Sequence, residues 1–503
     1  PSSTPKPSSA ASDVYKRQVG WDAYYAARRE FALPTFQQPA KASELLKRFP
    51  DRFALTKPFF VGQKALLEFA PKAEKEEFCW KEPEDAPLKR TALFEEHKKL
   101  TKFVIPFAGW EMPVWYTRVS EEHTAVRTTV GLFDVSHMGL FEFKGRDAAH
   151  FLDMLLSNYV HWFHPGQAFY AYMLDADGAC IDDTFTYRLS DDHFWMVVNA
   201  ANTDKDREWI RGVLEGRYLT DKELPARGFS GDVEFRDLKD SALGDERWVN
   251  VALQGPRALD ILLRLVGSAE DAAALHSLRR SEFVWLTLSK TRCLVARTGY
   301  TGERVAFEMY IPWAEAPRMW NILLEQGRAF GLKPCGLGAR DSTRTEAGLP
   351  LYGHELAGPL GITPLEAGYG AFVKFHKPYF IGRKPLLEAE AKRTREIVRF
   401  RVVQKGARTL RLGDPVVDAR RGRLIGSVTS AVLLPDGHQI GMAIVERTAN
   451  RPGTRLAIYP VPQREGLEMK ALKEWQVGDF AVVPVEAVVL ERFMTPPATP
   501  SAE

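Results

Sequence analysis

Apolar residues recur along this chain with two different periods, and the switches between them mark out its elements. In 147–157, Phe151, Met154 and Leu155 fall on one side of a helix. The same period predicts helices over 92–102, 203–214, 257–266 and 315–327, with Pro317 in the first turn of the last, where proline is tolerated. Ser120 is placed to cap a further helix whose first turn carries Glu121 and Glu122. Elsewhere the period is two. It predicts strands within 131–145 with a turn at Gly139, a meander over 167–200, a strand at 249–256, a pair over 283–296 and a strand after the glycine turn of 297–303. The charged stretch 216–248 reads as an insertion or long connection. From Ile397 onward, short apolar runs alternate with Gly, Pro and Asp turns, the grammar of a small all-β barrel.

These elements predict an α+β chain. A mixed body over 91–393 holds two similar strand–helix–strand halves, 131–214 and 249–333. A barrel domain over 394–495 follows. Ahead of the body, 19–90 reads as an extension and linker, and the Ser/Pro/Ala-rich residues 1–18 read as disordered and non-native. The chain is therefore expected to be the rear part of a longer polypeptide. One short repeat stands out: KPFFVGQKALLEFAPKA at 57–73 and KPYFIGRKPLLEAEAKR at 377–393. It spans about one turn and one helix start, too little to mark a duplicated domain.

Within the meander, residues 181–187 (IDDTFTY) carry the most informative alternation. Ile181, Asp183, Phe185 and Tyr187 share one face of a strand, and Asp182, Thr184 and Thr186 share the other. Asp183 is thus a lone carboxylate among apolar neighbours. That is costly unless a protein donor, a metal or a ligand satisfies it. On the pattern alone, a hydrogen-bonded structural Asp and a functional one both fit.

Composition narrows the field. The chain has 503 residues, 45% hydrophobic and 26% charged, with a net charge of +3. This suits a globular protein of about two to four domains and gives no case for nucleic acid or a membrane surface. No apolar run approaches the ~20 residues that span a bilayer. Four scattered cysteines without CxxC spacing fit a reducing, cytoplasmic setting, and eleven histidines show no ligand spacing. There is no Walker A loop, no GxGxxG after a strand, no GxSxG and no HExxH. Nucleotide, metal and hydrolase chemistry therefore have little support, and no metal site is expected.

Five motifs in order, LFDVSHMG (132–139), GACIDDTFTYR (178–188), VALQGPRALDIL (251–262), RTGYTGE (297–303) and GLGARDSTRTEAGLPLYGHEL (336–356), resemble the aminomethyltransferases, the T proteins of the glycine cleavage system. The resemblance runs from about 91 to 490. It implies a three-domain cloverleaf around a tetrahydrofolate channel. It also implies transfer of a methylene group from the aminomethyl-lipoyl arm of a carrier H protein to tetrahydrofolate, releasing ammonia. Asp183 then matches the catalytic carboxylate. Glu308 matches the residue that holds the pterin, Arg340 and Asn199 match folate-contacting positions, and Asp182 is counted with these cofactor-binding residues as a supporting neighbour. Arg344, one turn from Arg340, reads as part of a solvated ion-pair face. Ala487 stands where the family carries a tyrosine. Related folds demethylate small molecules with tetrahydrofolate, and a folate-binding protein without catalysis is a further alternative.

Overall fold

The computed structural model of the chain describes residues 74–82, 87–461, 476 and 482–494. The leader 1–18, most of the extension and the first copy of the short repeat lie outside the described residues.

In chain order the body contains helix α1 (Phe94–Leu100), a hairpin of β1 (Val104–Phe107) and β2 (Trp110–Pro113), α2 (Val119–Thr128), β3 (Val130–Asp134), β4 (Gly139–Lys144) and α3 (Ala148–Leu155). There follow β5 (Ala168–Leu174), β6 (Cys180–Arg188), β7 (His193–Val198), α4 (Thr203–Leu214), β8 (Glu234–Asp237) and β9 (Trp248–Gln254). Next come α5 (Ala258–Leu265), α6 (Ala269–Ser277), β10 (Phe283–Leu288), β11 (Thr291–Ala296), β12 (Ala306–Pro312), α7 (Ala316–Gly327), β13 (Leu332–Cys335), α8 (Leu337–Ala347) and α9 (Arg383–Ala391). The barrel is built from β14 (Arg395–Val402), β15 (Pro415–Asp418), β16 (Leu424–Leu433), β17 (Gln439–Glu446), β18 (Arg455–Ile458) and β19 (Val485–Leu490).

Two sheets form the body. One has the order β5-β6-β7-β4-β8, the other β10-β11-β12-β9-β3-β13, and β14–β19 close as a barrel. The expected halves exist but interlock. The stretch 131–145 gives β3 to the six-stranded sheet, against β9 and β13, and β4 to the five-stranded one. Its turn lies over 135–138, and Gly139 already begins β4. Asp134 holds this crossing: its carboxylate accepts hydrogen bonds from Thr91 Oγ1 (2.8 Å) and the Ser136 backbone N–H (2.8 Å) and meets His97 Nε2 (2.8 Å). The charged stretch 216–248 is not merely a connection, because β8 within it closes an edge of the five-stranded sheet.

Helices α3 and α4 bury the back of the five-stranded sheet through Phe151, Leu152, Trp209 and Ile210. Its front faces the other sheet, where Tyr187, Trp195 and Ala168 meet Phe283, Leu294, Ala296 and Tyr310. The long segment between α8 and α9 joins sheet and barrel through Leu356, Ile362, Phe380 and Met442. Helix α2 starts at Val119 without a side-chain cap, so Ser120 does not cap it. Glu122, in the first turn, instead accepts from the N–H groups of Tyr116 (2.6 Å) and Thr117 (2.9 Å) and ties the helix start to the segment ahead of it. The end of the extension packs on the body. Glu76 pairs with the 217–219 backbone, and the Phe78 ring sits 4.9 Å from Trp209 and 5.0 Å from Tyr218.

Candidate active site

The central feature of the site is β6, paired with β5 on one side and β7 on the other. Its alternation resolves in an unexpected way. Asp182, Thr184 and Thr186, the polar set, are the fully buried ones, at 0, 1 and 0% exposure, and lie in register with Met173, Ala171 and Phe169 on the helix-covered back. Asp183, Phe185 and Tyr187 face the other way, into a cavity of about 540 Å³ between the two sheets. That volume suits a ligand of cofactor size.

The Asp183 carboxylate has two neutral donors. Tyr170 O–H donates to Oδ2 at 2.8 Å, and Asn199 Nδ2 donates to Oδ1 at 2.8 Å. Burial, followed by the neighbouring Asp182 charge, pushes the Asp183 carboxyl up to about 7. A carboxyl poised there exchanges a proton readily near neutral pH. Asn199 is the clamp. Besides Asp183, its backbone N–H (2.8 Å) and Nδ2 (2.7 Å) donate to Asp182, which also accepts from Asn202 Nδ2 at 2.5 Å. Asp182 does not line the cavity. The donors to its carboxylate are protein groups, Asn199 and Asn202.

Across the cavity, Glu308 projects from β12 and accepts from Thr298 Oγ1 (2.5 Å) and Tyr187 O–H (3.3 Å). Burial raises its pKa, and those two hydrogen bonds oppose the shift. Arg340, from the first turn of α8, lies over the Tyr300 ring at 4.9 Å and against the Met138 sulfur at 3.8 Å. Burial lowers its pKa. Asp183, Glu308, Arg340 and Asn199 therefore line one space, although they are distant in sequence.

Two readings from the sequence do not survive. Arg344 is not on a solvated face: it is 1% exposed and pairs with the buried Glu355 at 2.7 Å. Its other nitrogen donates to Ser430 Oγ of the barrel at 2.8 Å. Helical spacing from Arg340 could not show that a barrel packs on this face. Ala487 does not border the cavity either; it lies in the barrel core. Within the described C-terminal segment, the Phe493 ring sits 5.2 Å from Tyr369, which lines the cavity. Sequence reasoning passed over Tyr170 and Tyr300. The first was within reach, because Tyr170 stands opposite Phe185, two residues along the register from Asp183 and therefore on the same face of the paired strands. Among the described residues no group of three His, Cys, Asp or Glu could hold a metal, and no helix is long and apolar enough to cross a membrane.

The fold and site are thus those of an α+β protein with a carboxyl poised near neutrality, a second carboxyl and a guanidinium lining one aromatic-walled cavity. A family model described as the GCVT N-terminal domain matches residues 93–377. An aminomethyltransferase from Desulfitobacterium hafniense (strain Y51) is 43% identical over 352 residues, covering 69% of this chain and 87% of that protein. One from Thermoanaerobacter sp. (strain X514) is 39% identical over 373 residues, covering 74% and 93%. The crystal structure of the glycine cleavage system aminomethyltransferase T from Bartonella henselae superposes with a TM-score of 0.64 at 28% identity, over 80% of this chain and 97% of that one. The chain belongs to the aminomethyltransferase family, the T proteins of the glycine cleavage system, and is a transferase.

Proposed function

We propose that the protein passes a methylene group from the aminomethyl-lipoyl arm of a carrier H protein to tetrahydrofolate and releases ammonia. The observation that carries the reading is Asp183, a channel-facing carboxyl held by neutral donors only and poised near pH 7. The cavity residues fit a folate. Its walls are rich in aromatic rings, among them Tyr170, Phe185, Tyr300 and Tyr369, which suit a flat bicyclic ring. Glu308 can accept the paired N–H groups of a pterin, a bidentate arrangement that a carboxylate favours. Arg340 adds a positive charge within electrostatic reach of Glu308. Tetrahydrofolate, when bound, supplies the nitrogens that take the one-carbon unit. Asp183 takes or returns the proton there, with Tyr170 and Asn199 fixing its carboxylate plane. Asp182 acts behind the strand by orienting Asn199. All four cysteines are free thiols, which fits a reducing compartment such as the cytoplasm.

The test incubates the protein with tetrahydrofolate and an aminomethylated lipoyl carrier, reading folate products by mass. Methylenetetrahydrofolate with stoichiometric ammonia is expected. Formation of 5-methyltetrahydrofolate, or tight folate binding with no product, overturns the reading. Asp183→Ala is expected to keep folate binding within about tenfold and to lower turnover at least ~100-fold, as for loss of a central acid–base group.

A further inference from the structure

Behind Asp183 lies a second carboxyl group that the reaction does not use directly. Asp206, in the first turn of α4, is 0% exposed. Neither of its oxygens receives a hydrogen bond from an N–H or O–H of the described residues. A carboxylate buried in that way is costly. The group within hydrogen-bonding reach is the Asp182 carboxylate. Two carboxylates in contact cannot both stay ionised, so a proton has to lie between them.

The acceptor count says where it belongs. A carboxylate offers about four acceptor positions. On Asp182 three are filled, by Asn199 N–H, Asn199 Nδ2 and Asn202 Nδ2. Those donors favour the charged form of Asp182, whereas Asp206 has no such support. We propose that Asp206 is a positioning residue: a neutral carboxylic acid that donates to Asp182, fills its fourth acceptor position and so fixes Asn199 against Asp183. The inference rests on the reading of Asp183 as the reacting carboxyl.

The surroundings agree. From β6 the Asp182 carboxylate faces Asp206, with Asp183 and Cys180 within electrostatic reach of it; Lys205 lies beside it on α4, and Tyr352 approaches from the segment after α8. The Lys205 ammonium donates instead to Asn202 Oδ1 (2.9 Å) and Tyr352 O–H (2.8 Å). Burial, then the Asp182 charge, hold the Asp206 carboxyl well above the usual carboxylate range. The pair thus carries one negative charge, and that charge helps to keep Asp183 poised.

Infrared spectra of the full chain test this without relying on activity. Near pH 9, about two units above where Asp183 titrates, wild type should retain the carbonyl stretch of one protonated carboxylic acid, lost in Asp206→Asn. Asp206→Ala, which removes the donor, should lower aminomethyl transfer about tenfold or more and displace the midpoint of the kcat–pH profile. Asp206→Asn, a neutral donor of the same shape, should restore transfer to within about threefold with the midpoint back in place. No protonated band in wild type near pH 9 overturns the proposal. So does an Asp206→Asn profile displaced to lower pH, which would mean that a negative charge had been removed. A protein that shows the band but transfers nothing overturns the folate reading alone and leaves the Asp182–Asp206 pair standing.

Discussion

Burial and then the Asp182 charge favour the neutral form of Asp183, against the hydrogen bonds donated by Tyr170 and Asn199. Its folded pKa lies above that of an unfolded Asp. The stability this contributes is therefore fully present below about pH 4 and is lost as the pH rises through about 7. Asp183→Asn keeps the shape and removes the titration. It is expected to melt above wild type at pH 8, with the difference closing toward pH 4, while turnover is lost. Scanning calorimetry across that range checks the sign, and a constant difference at all pH values refutes it. Of the site residues, Asp183 was legible from strand alternation, because one carboxylate among Ile181, Phe185 and Tyr187 breaks the pattern. Glu308 and Arg340 were not visible that way. Their local sequences look like an ordinary strand and an ordinary polar helix, and only the family motifs singled them out.

The β5–β6 turn is where local sequence and long-range packing meet. Asp175 Oδ1 accepts from the N–H groups of Asp177 and Ala179, both at 2.9 Å, the turn chemistry the sequence announces. What seats the turn is remote. Gly382, at φ +78°, lies against it so closely that a Cβ there would come 2.5 Å from the Asp175 carbonyl oxygen and 2.9 Å from Gly178 Cα. Gly382→Ala should cost about 1–3 kcal/mol, from both the left-handed backbone and the displaced turn. It should also lower turnover, because that turn leads directly into Asp183. Urea unfolding and steady-state kinetics check the two effects together. The glycine sits in the second copy of the short repeat, and there the local pattern announces a helix start without showing what it packs on. Helices and barrel strands were largely readable from their periods. The exchange of β3 between halves was not, since a strand buried on both faces gives no sign of its partner.

At the scale of the molecule, the barrel is joined to the body through α8. Arg344 and Glu355 form a buried ion pair, and Arg344 also reaches Ser430 of β16. Removing one partner strands the other charge. Arg344→Met is expected to destabilise the protein by about 3–5 kcal/mol, and the double change with Glu355→Gln should recover much of that loss. Chemical denaturation of the four members of this cycle measures the coupling. A single mutant no less stable than wild type refutes the role of the pair. The sequence by itself determined the elements, the α+β class, the barrel and the odd position of Asp183, because these follow from periods of two and 3.6 and from turn residues close in the chain. Only the tertiary structure decided which face of β6 meets the channel, that Asp182 is bound behind it, and that Arg344 is buried. Each depends on what packs against an element from more than about ten residues away, and a local pattern holds no record of that partner.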